Sequence, residues 1–179
     1  TLFPYTTLFR SLLRGQVPQL SDPQLKDFVE TTVYRLAETS QLQDRRLEFI
    51  LINSRELNAF AAPGGIVGVN GGLFLNAQSE AEYAAVLAHE LAHLSQRHFA
   101  RGIEAQQHMQ VPVLAAMLAG IVIAAAGAGD AGIATIMGSQ AAAIQEQQRF
   151  SRQNEQEADR IGIINLQKDR KSTRLNSSH

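Results

Sequence analysis

His89, Glu90 and His93 stand in the order His-Glu-x-x-His within the run HELAH. A helical residue turns by about 100°, so His89 and His93 project about 40° apart and one turn along. Two ring nitrogens at that spacing reach one tetrahedral metal ion. Glu90, rotated by about 100°, reaches a water at that ion without becoming a ligand. Zinc with an open coordination position makes such a water acidic, and the carboxylate takes the proton. The rival reading is a solvated helix face with two surface histidines. The stretch from Glu80 to about Arg101 contains no Gly or Pro. Ser79 and Glu82 form a capping box, and Glu80 and Glu82 suit the positive end of a helix. One long helix is therefore expected, with Gly102 terminating it.

A third ligand must come from elsewhere. A metzincin would carry Gly at 96 and His at 99, where this chain has Gln96 and Phe99. His98 follows His93 by five residues, about 500° of helix, which turns it off the ligand face. It is expected to be structural or to support a ligand. His108 lies beyond Gly102 and is expected to be exposed. Three acidic residues remain in SRQNEQEADR: Glu155, Glu157 and Asp159. Glu155 and Asp159 are four apart, so both can face the HExxH helix. Glu155 would bind zinc, and Asp159 would accept a hydrogen bond from a ligand histidine and fix its tautomer. Glu157, about 200° from Glu155, should point away. The bland alternative is an acidic, solvated helix face. The expected set is one Zn2+ per chain on His89, His93 and Glu155, with Glu90 and Asp159 as the catalytic carboxylates. Arg152, one turn before Glu155, is a candidate transition-state stabiliser.

These residues need a scaffold, and the rest of the chain supplies one. At 179 residues, 45% hydrophobic and 18% charged, it reads as one globular domain. The absence of Cys excludes a disulfide framework and thiolate metal sites. A net charge of −1 gives no sign of a nucleic-acid surface, so no nucleic-acid partner is expected. Leu12–Leu20 reads as a linker. Ser21 or Asp22 caps a helix over Pro23–Thr39, where Leu25, Phe28, Val29, Val33 and Leu36 recur near the 3.6 period. Leu47–Asn53 reads as a strand, Asn58–Ala62 as extended, Pro63-Gly64-Gly65 as a break, and Ile66–Val69 as a strand closed by Gly71-Gly72. A meander of short strands before a long helix is α+β: mostly helical, with a small sheet and a long active-site helix.

Glu104–Ala126 and Asp130–Arg149 read as two apolar helices, and Ser151–Lys168 as a last one. Residues 105–129 carry no formally charged side chain, and Val111–Gly129 meets the length of a membrane span. The hairpin over 111–144 is expected to lie on a membrane surface, to be buried in the protein, or to span the bilayer. Its many Ala and Gly residues drive insertion weakly, and the second arm holds Thr135 and Gln140.

Both ends look foreign. TLFPYTTLFRS (1–11) and DRKSTRLNSSH (169–179) back-translate, codon by codon, into strings that resemble a pair of sequencing adapters. Residues 1–11 and 169–179 are therefore expected to be adapter artefact. The catalytic domain proper would be 12–168, an internal fragment of a longer gene. Cut at both ends, the fragment need not be active alone.

HELAHLSQRH followed by SRQNEQEAD resembles the HExxH–ExxxD gluzincin family that holds the CAAX prenyl proteases and the HtpX membrane proteases. NAFAAPGGIVGVNGGLF and EADRIGI are similar to its BepA-like zinc metalloproteases in particular, and the likeness covers nearly all of 12–168. It implies a zincin-like catalytic domain with zinc on His89, His93 and Glu155, Glu90 as base and Asp159 behind a ligand. It implies that the strand around Ile66–Val69 is an edge above the zinc that binds a polypeptide substrate as an extended strand. It also implies a periplasmic endopeptidase, peripheral to a membrane, that acts on misfolded or misassembled envelope proteins. A signal peptide and a C-terminal repeat domain would lie outside this fragment. The alternatives are an integral inner-membrane quality-control protease of the same family and a non-catalytic, membrane-associated zinc-binding or chaperone module.

Overall fold

The computed structural model describes Ser11 and residues 17–62, 64–125 and 127–176. Segments 1–10, 12–16 and 177–179, Pro63 and Ala126 lie outside these, and with them most of the N-terminal foreign segment and the start of the expected linker. The chain divides into two compact units. One comprises the residues up to Phe99 together with those from Glu157 onward; the other is Ala100–Gln156.

Helix α1 of the first unit is Pro23–Thr39. The Asp22 carboxylate accepts from the backbone N–H groups of Gln24 and Leu25, both at 3.0 Å, and Pro23 occupies the first turn. Three strands follow: β1 (Glu48–Ile52), β2 (Ala59–Ala62) and β3 (Ile66–Asn70). Their order is β1-β3-β2, with β3 parallel to β1 and antiparallel to β2. Gly64 (φ 87°) and Gly65 (φ 78°) turn the chain from β2 into β3, using backbone angles that L side chains resist. Residues 18–20 run beside β1, with Gln19 bridging Ile52, so part of the expected linker is sheet-bound.

This order corrects one expectation. The strand at Ile66–Val69 is the central strand, hydrogen-bonded on both sides and buried along its whole length, and it offers no free edge. The edge beside the HExxH helix is β2. The arrangement is also not a simple meander, because β1 and β3 pair in parallel. Alternation sorts the side chains. Leu51, Val67, Val69 and Ala59 join a core with Val29, Val33 and Leu36 of α1. Ile50, Ile52, Ala62 and Ile66 form the cluster on the other face.

A short helix, α2 (Gly71–Asn76), follows β3 where only a strand end was expected. Then comes α3, Glu80–Ser95, whose Ser79 hydroxyl accepts from the Glu82 N–H at 3.3 Å. Glu82 reciprocates onto the N–H of Gln78 rather than onto the cap residue itself. Tyr83, Ala84, Leu87, Ala88 and Leu91 are its contribution to the core. Tyr83 sits between Phe28 and Phe74, with ring centroids 5.3 and 5.0 Å away. Its buried hydroxyl has no hydrogen-bond partner among the described residues, and burial pushes its pKa up. Tyr83→Phe is expected to be neutral or to stabilise the fold by about 1 kcal/mol, read from denaturant midpoints. A loss of stability would show that the hydroxyl is hydrogen-bonded after all.

The expected single helix to Arg101 ends six residues early. The Gln96 N–H caps back to Ala92 at 2.9 Å, and Arg97 adopts φ 54° with its N–H on Leu94 at 3.1 Å. This is a left-handed C-terminal cap built without glycine. Gly102, the expected terminator, lies inside the next helix, α4 (His98–Ala125). Arg97→Gly is expected to stabilise the fold by about 1 kcal/mol, because only a Cβ opposes this angle. A lower melting temperature would contradict that.

The last helix, α5 (Gly129–Asn176), is continuous where two were expected. No Gly or Pro falls between Gly138 and Gly162 to interrupt it. It runs past Lys168, and Asp169 is buried with its carboxylate 3.3 Å from the Arg35 guanidinium.

Within the second unit, α4 and the first part of α5 are joined at Gly127 (φ 92°). Gly120 lets the two arms approach: a Cβ there would overlap Ile136 and the Gly132 carbonyl. The outer faces stay bare. Val111, Leu118, Val122 and Met137 are 65–70% exposed. His98–Ile123 is long and apolar enough to cross a membrane.

Candidate metal centre

The core face of α3 fixes the direction of its opposite flank. With Leu87, Ala88, Leu91 and Ala92 buried, His89, Glu90 and His93 fall on a half-buried face. The C-terminal part of α5 packs there on small residues: Ala92 meets Ala158 and Ile161, and Gly162 lies against the backbone of His89. A Cβ at Gly162 would stand 3.2 Å from both N and Cα of His89. The helix therefore comes closer than a side chain at 162 would readily allow, which carries its acidic side chains toward the histidines. Gly162→Val is expected to loosen metal retention while the helix content measured by circular dichroism holds. Unchanged metal affinity would show that this close approach is not what sets the site.

The two imidazoles meet at Nε2, 2.9 Å apart. Each outer nitrogen is committed elsewhere. Nδ1 of His89 is 2.9 Å from Oδ1 of Asp159, and Nδ1 of His93 is 2.9 Å from Nδ1 of His98. The Asp159 carboxylate accepts the Nδ1 proton of His89, which leaves a lone pair on Nε2. Glu155 is one turn before Asp159 on the unbroken α5. His89, His93 and Glu155 each offer one ligand atom, and those atoms lie within 4.8 Å of one another. Two imidazole nitrogens and one carboxylate oxygen could hold a metal ion. Glu90 stands beside this set, with Oε2 accepting from the Ala61 N–H of β2 at 3.0 Å.

His108 is exposed, as expected, and so is Arg152. His98 stays out of the metal-capable group, in line with its expected structural or supporting role, but the helix breaks before it. The left-handed Arg97 swings it back behind His93, where it is buried. Glu157 points away from Glu155 but not into solvent: its Oε2 is 3.1 Å from Nε2 of His98. Two features thus lay outside the sequence argument, the Ala61 backbone and the contact of Glu157 with His98, and so did the route by which His98 reaches His93. Ala61 carries no chemical signal, since only its backbone acts. His98 and Glu157 depended on a helix break that has no Gly or Pro to announce it. Gly162 did carry a signal, an isolated glycine three residues after Asp159 in a helix, which marks close packing.

Comparison with known proteins bears on the same residues. The model of peptidase family M48 matches residues 23–176. The chain is 39% identical over 156 residues to the beta-barrel assembly-enhancing protease of Escherichia coli K12, covering 87% of this chain and 32% of that protein. It is 42% identical over 164 residues to a Vibrio cholerae protein that carries the provisional form of that name, covering 92% of this chain and 34% of that protein. A shorter match, 40% over 67 residues, is to the mitochondrial metalloendopeptidase OMA1 of Arabidopsis thaliana, covering 37% of this chain and 14% of that protein. The chain spans about a third of the length of the assembly-enhancing proteases it matches. The family match takes in β2, the HExxH helix and the acidic turn of α5 together, and the chain belongs to peptidase family M48.

Proposed function

We propose that this chain carries the catalytic centre of a zinc-dependent endopeptidase, with one zinc held by His89, His93 and Glu155. The observation that carries this reading is the convergence of two backed imidazoles and a carboxylate beside Glu90. When bound, the metal supplies Lewis acidity: it polarises a carbonyl oxygen and makes a water acidic. Glu90 accepts the proton of the attacking water and later delivers it to the leaving nitrogen. Asp159 holds the ring of His89 by its Nδ1–H. Arg152 is the candidate for stabilising the charge that develops on the carbonyl oxygen.

The substrate is an extended polypeptide paired with the edge of β2. The Ala61 N–H turns away from β3 toward Glu90. In an antiparallel pair the backbone groups alternate, so Ala59 and the Ala61 carbonyl face that edge beside the Ala61 N–H held by Glu90. A peptide backbone laid there lies next to the Glu90 carboxylate. The names of the relatives support envelope proteins in the course of assembly as substrates, and hence a periplasmic site of action.

The test is cleavage of a denatured model polypeptide by the purified chain. Cleavage should cease on treatment with a zinc chelator and return with added zinc. Cleavage that survives chelation would contradict the reading. Zinc binding with no cleavage would favour the non-catalytic module instead.

The bare apolar hairpin over 111–144 supports contact with a membrane surface. Flotation with phosphatidylethanolamine–phosphatidylglycerol vesicles should carry the chain, and a carbonate wash should release it. Retention after the wash would favour a spanning α4, for which its length and composition speak. No flotation would exclude both.

A further inference from the structure

We propose that His98 and Glu157 form a positioning pair that fixes the tautomer and the ring orientation of His93. The proposal rests on the reading of His93 as a metal ligand. The two candidate ligand histidines are backed in different ways. His89 meets a carboxylate directly through Nδ1. His93 instead faces a second imidazole, Nδ1 to Nδ1 at 2.9 Å, and that imidazole reaches Glu157 through Nε2 at 3.1 Å.

The proton positions along this chain follow from the carboxylate. An ionised carboxylate can only accept, so Nε2 of His98 donates to it. A neutral imidazole has one N–H, so Nδ1 of His98 is then the acceptor. It takes the Nδ1–H of His93, which leaves the lone pair of His93 on Nε2, the nitrogen that faces His89. Glu157 thereby sets, through His98, which nitrogen of His93 is available to a metal. The rings of His93 and His98 meet nearly at right angles, 82° between planes with centroids 4.8 Å apart. The contact thus holds the plane of His93 as well as its proton.

Burial distinguishes the two supports. The side chain of His98 is 4% exposed and that of Glu157 28%, whereas that of Asp159 is 68% exposed. A hydrogen bond shielded from water is stronger and its loss is costlier. The His93 branch should therefore matter at least as much as the directly carboxylated His89 branch. The left-handed Arg97 serves the same end, because only that break brings His98 behind His93.

The test uses the full chain at one fixed pH, loaded with zinc, and reads zinc affinity against a competing chelator together with imidazole 15N spectra. His98 should show the Nε2–H tautomer and His93 the Nδ1–H tautomer. His98→Leu should weaken zinc binding by ~10- to 100-fold, as loss of a partner behind a ligand does. His98→Asn, whose side-chain oxygen can accept from His93, should recover most of that loss. Glu157→Leu should leave His98 in mixed tautomers. An Nδ1–H tautomer at His98, or wild-type affinity in a folded His98→Leu, would overturn the proposal alone. A wild type that binds no zinc would overturn the metal reading and the proposal with it.

Discussion

Glu90→Gln is expected to keep its zinc and to lose cleavage by a factor of ~10² to 10⁴, the usual worth of a positioned proton acceptor. The substitution changes little else. Gln has the same shape, and its side-chain oxygen still accepts the Ala61 N–H that Glu90 holds at 3.0 Å. Glu90 is not in the metal-capable group, so metal content should hold. The loss should fall on kcat, with KM near that of the wild type, because the backbone groups that would pair with substrate belong to β2. A variant that cleaves within a few-fold of the wild type would remove Glu90 as the base. A variant that loses zinc would instead make the carboxylate a structural part of the metal site.

The second large effect separates ligands from their supports. Glu155→Ala should lower zinc affinity by more than the ~10- to 100-fold that loss of a supporting partner costs. Asp159→Ala should fall between Glu155→Ala and the wild type, because it leaves three donors in place and frees only the ring of His89. Competition with a chromophoric chelator gives the order directly. Glu155 is exposed, so truncating it should leave the fold intact, and circular dichroism should not change. Equal affinities for Glu155→Ala and the wild type would mean that a different group completes the donor set.

The residues at the centre were legible because their chemistry is local. Four residues of helix set the angle between His89 and His93, and four more set Glu155 against Asp159. The capping box at Ser79 fixed where that helix begins. Its end was not legible. Arg97 takes a left-handed angle with no glycine to signal it. From that one residue follow the early stop of α3, the swing of His98 and the partner found by Glu157. Strand order was hidden for a different reason. Ile66–Val69 is apolar on both faces, which marks a buried strand but not which neighbours flank it. The edge position expected of Ile66–Val69 belongs to β2, whose four residues hold a single large side chain, Phe60, folded over Gly68. The continuity of α5 followed from the absence of breakers and was masked by its change from apolar to polar composition near Arg149.

The most direct test of the metal centre is the zinc content of the purified, folded chain. The arrangement of His89, His93 and Glu155 predicts about one zinc per chain. A chain that circular dichroism shows to be helical, and that holds no zinc after incubation with a stoichiometric supply, would contradict it.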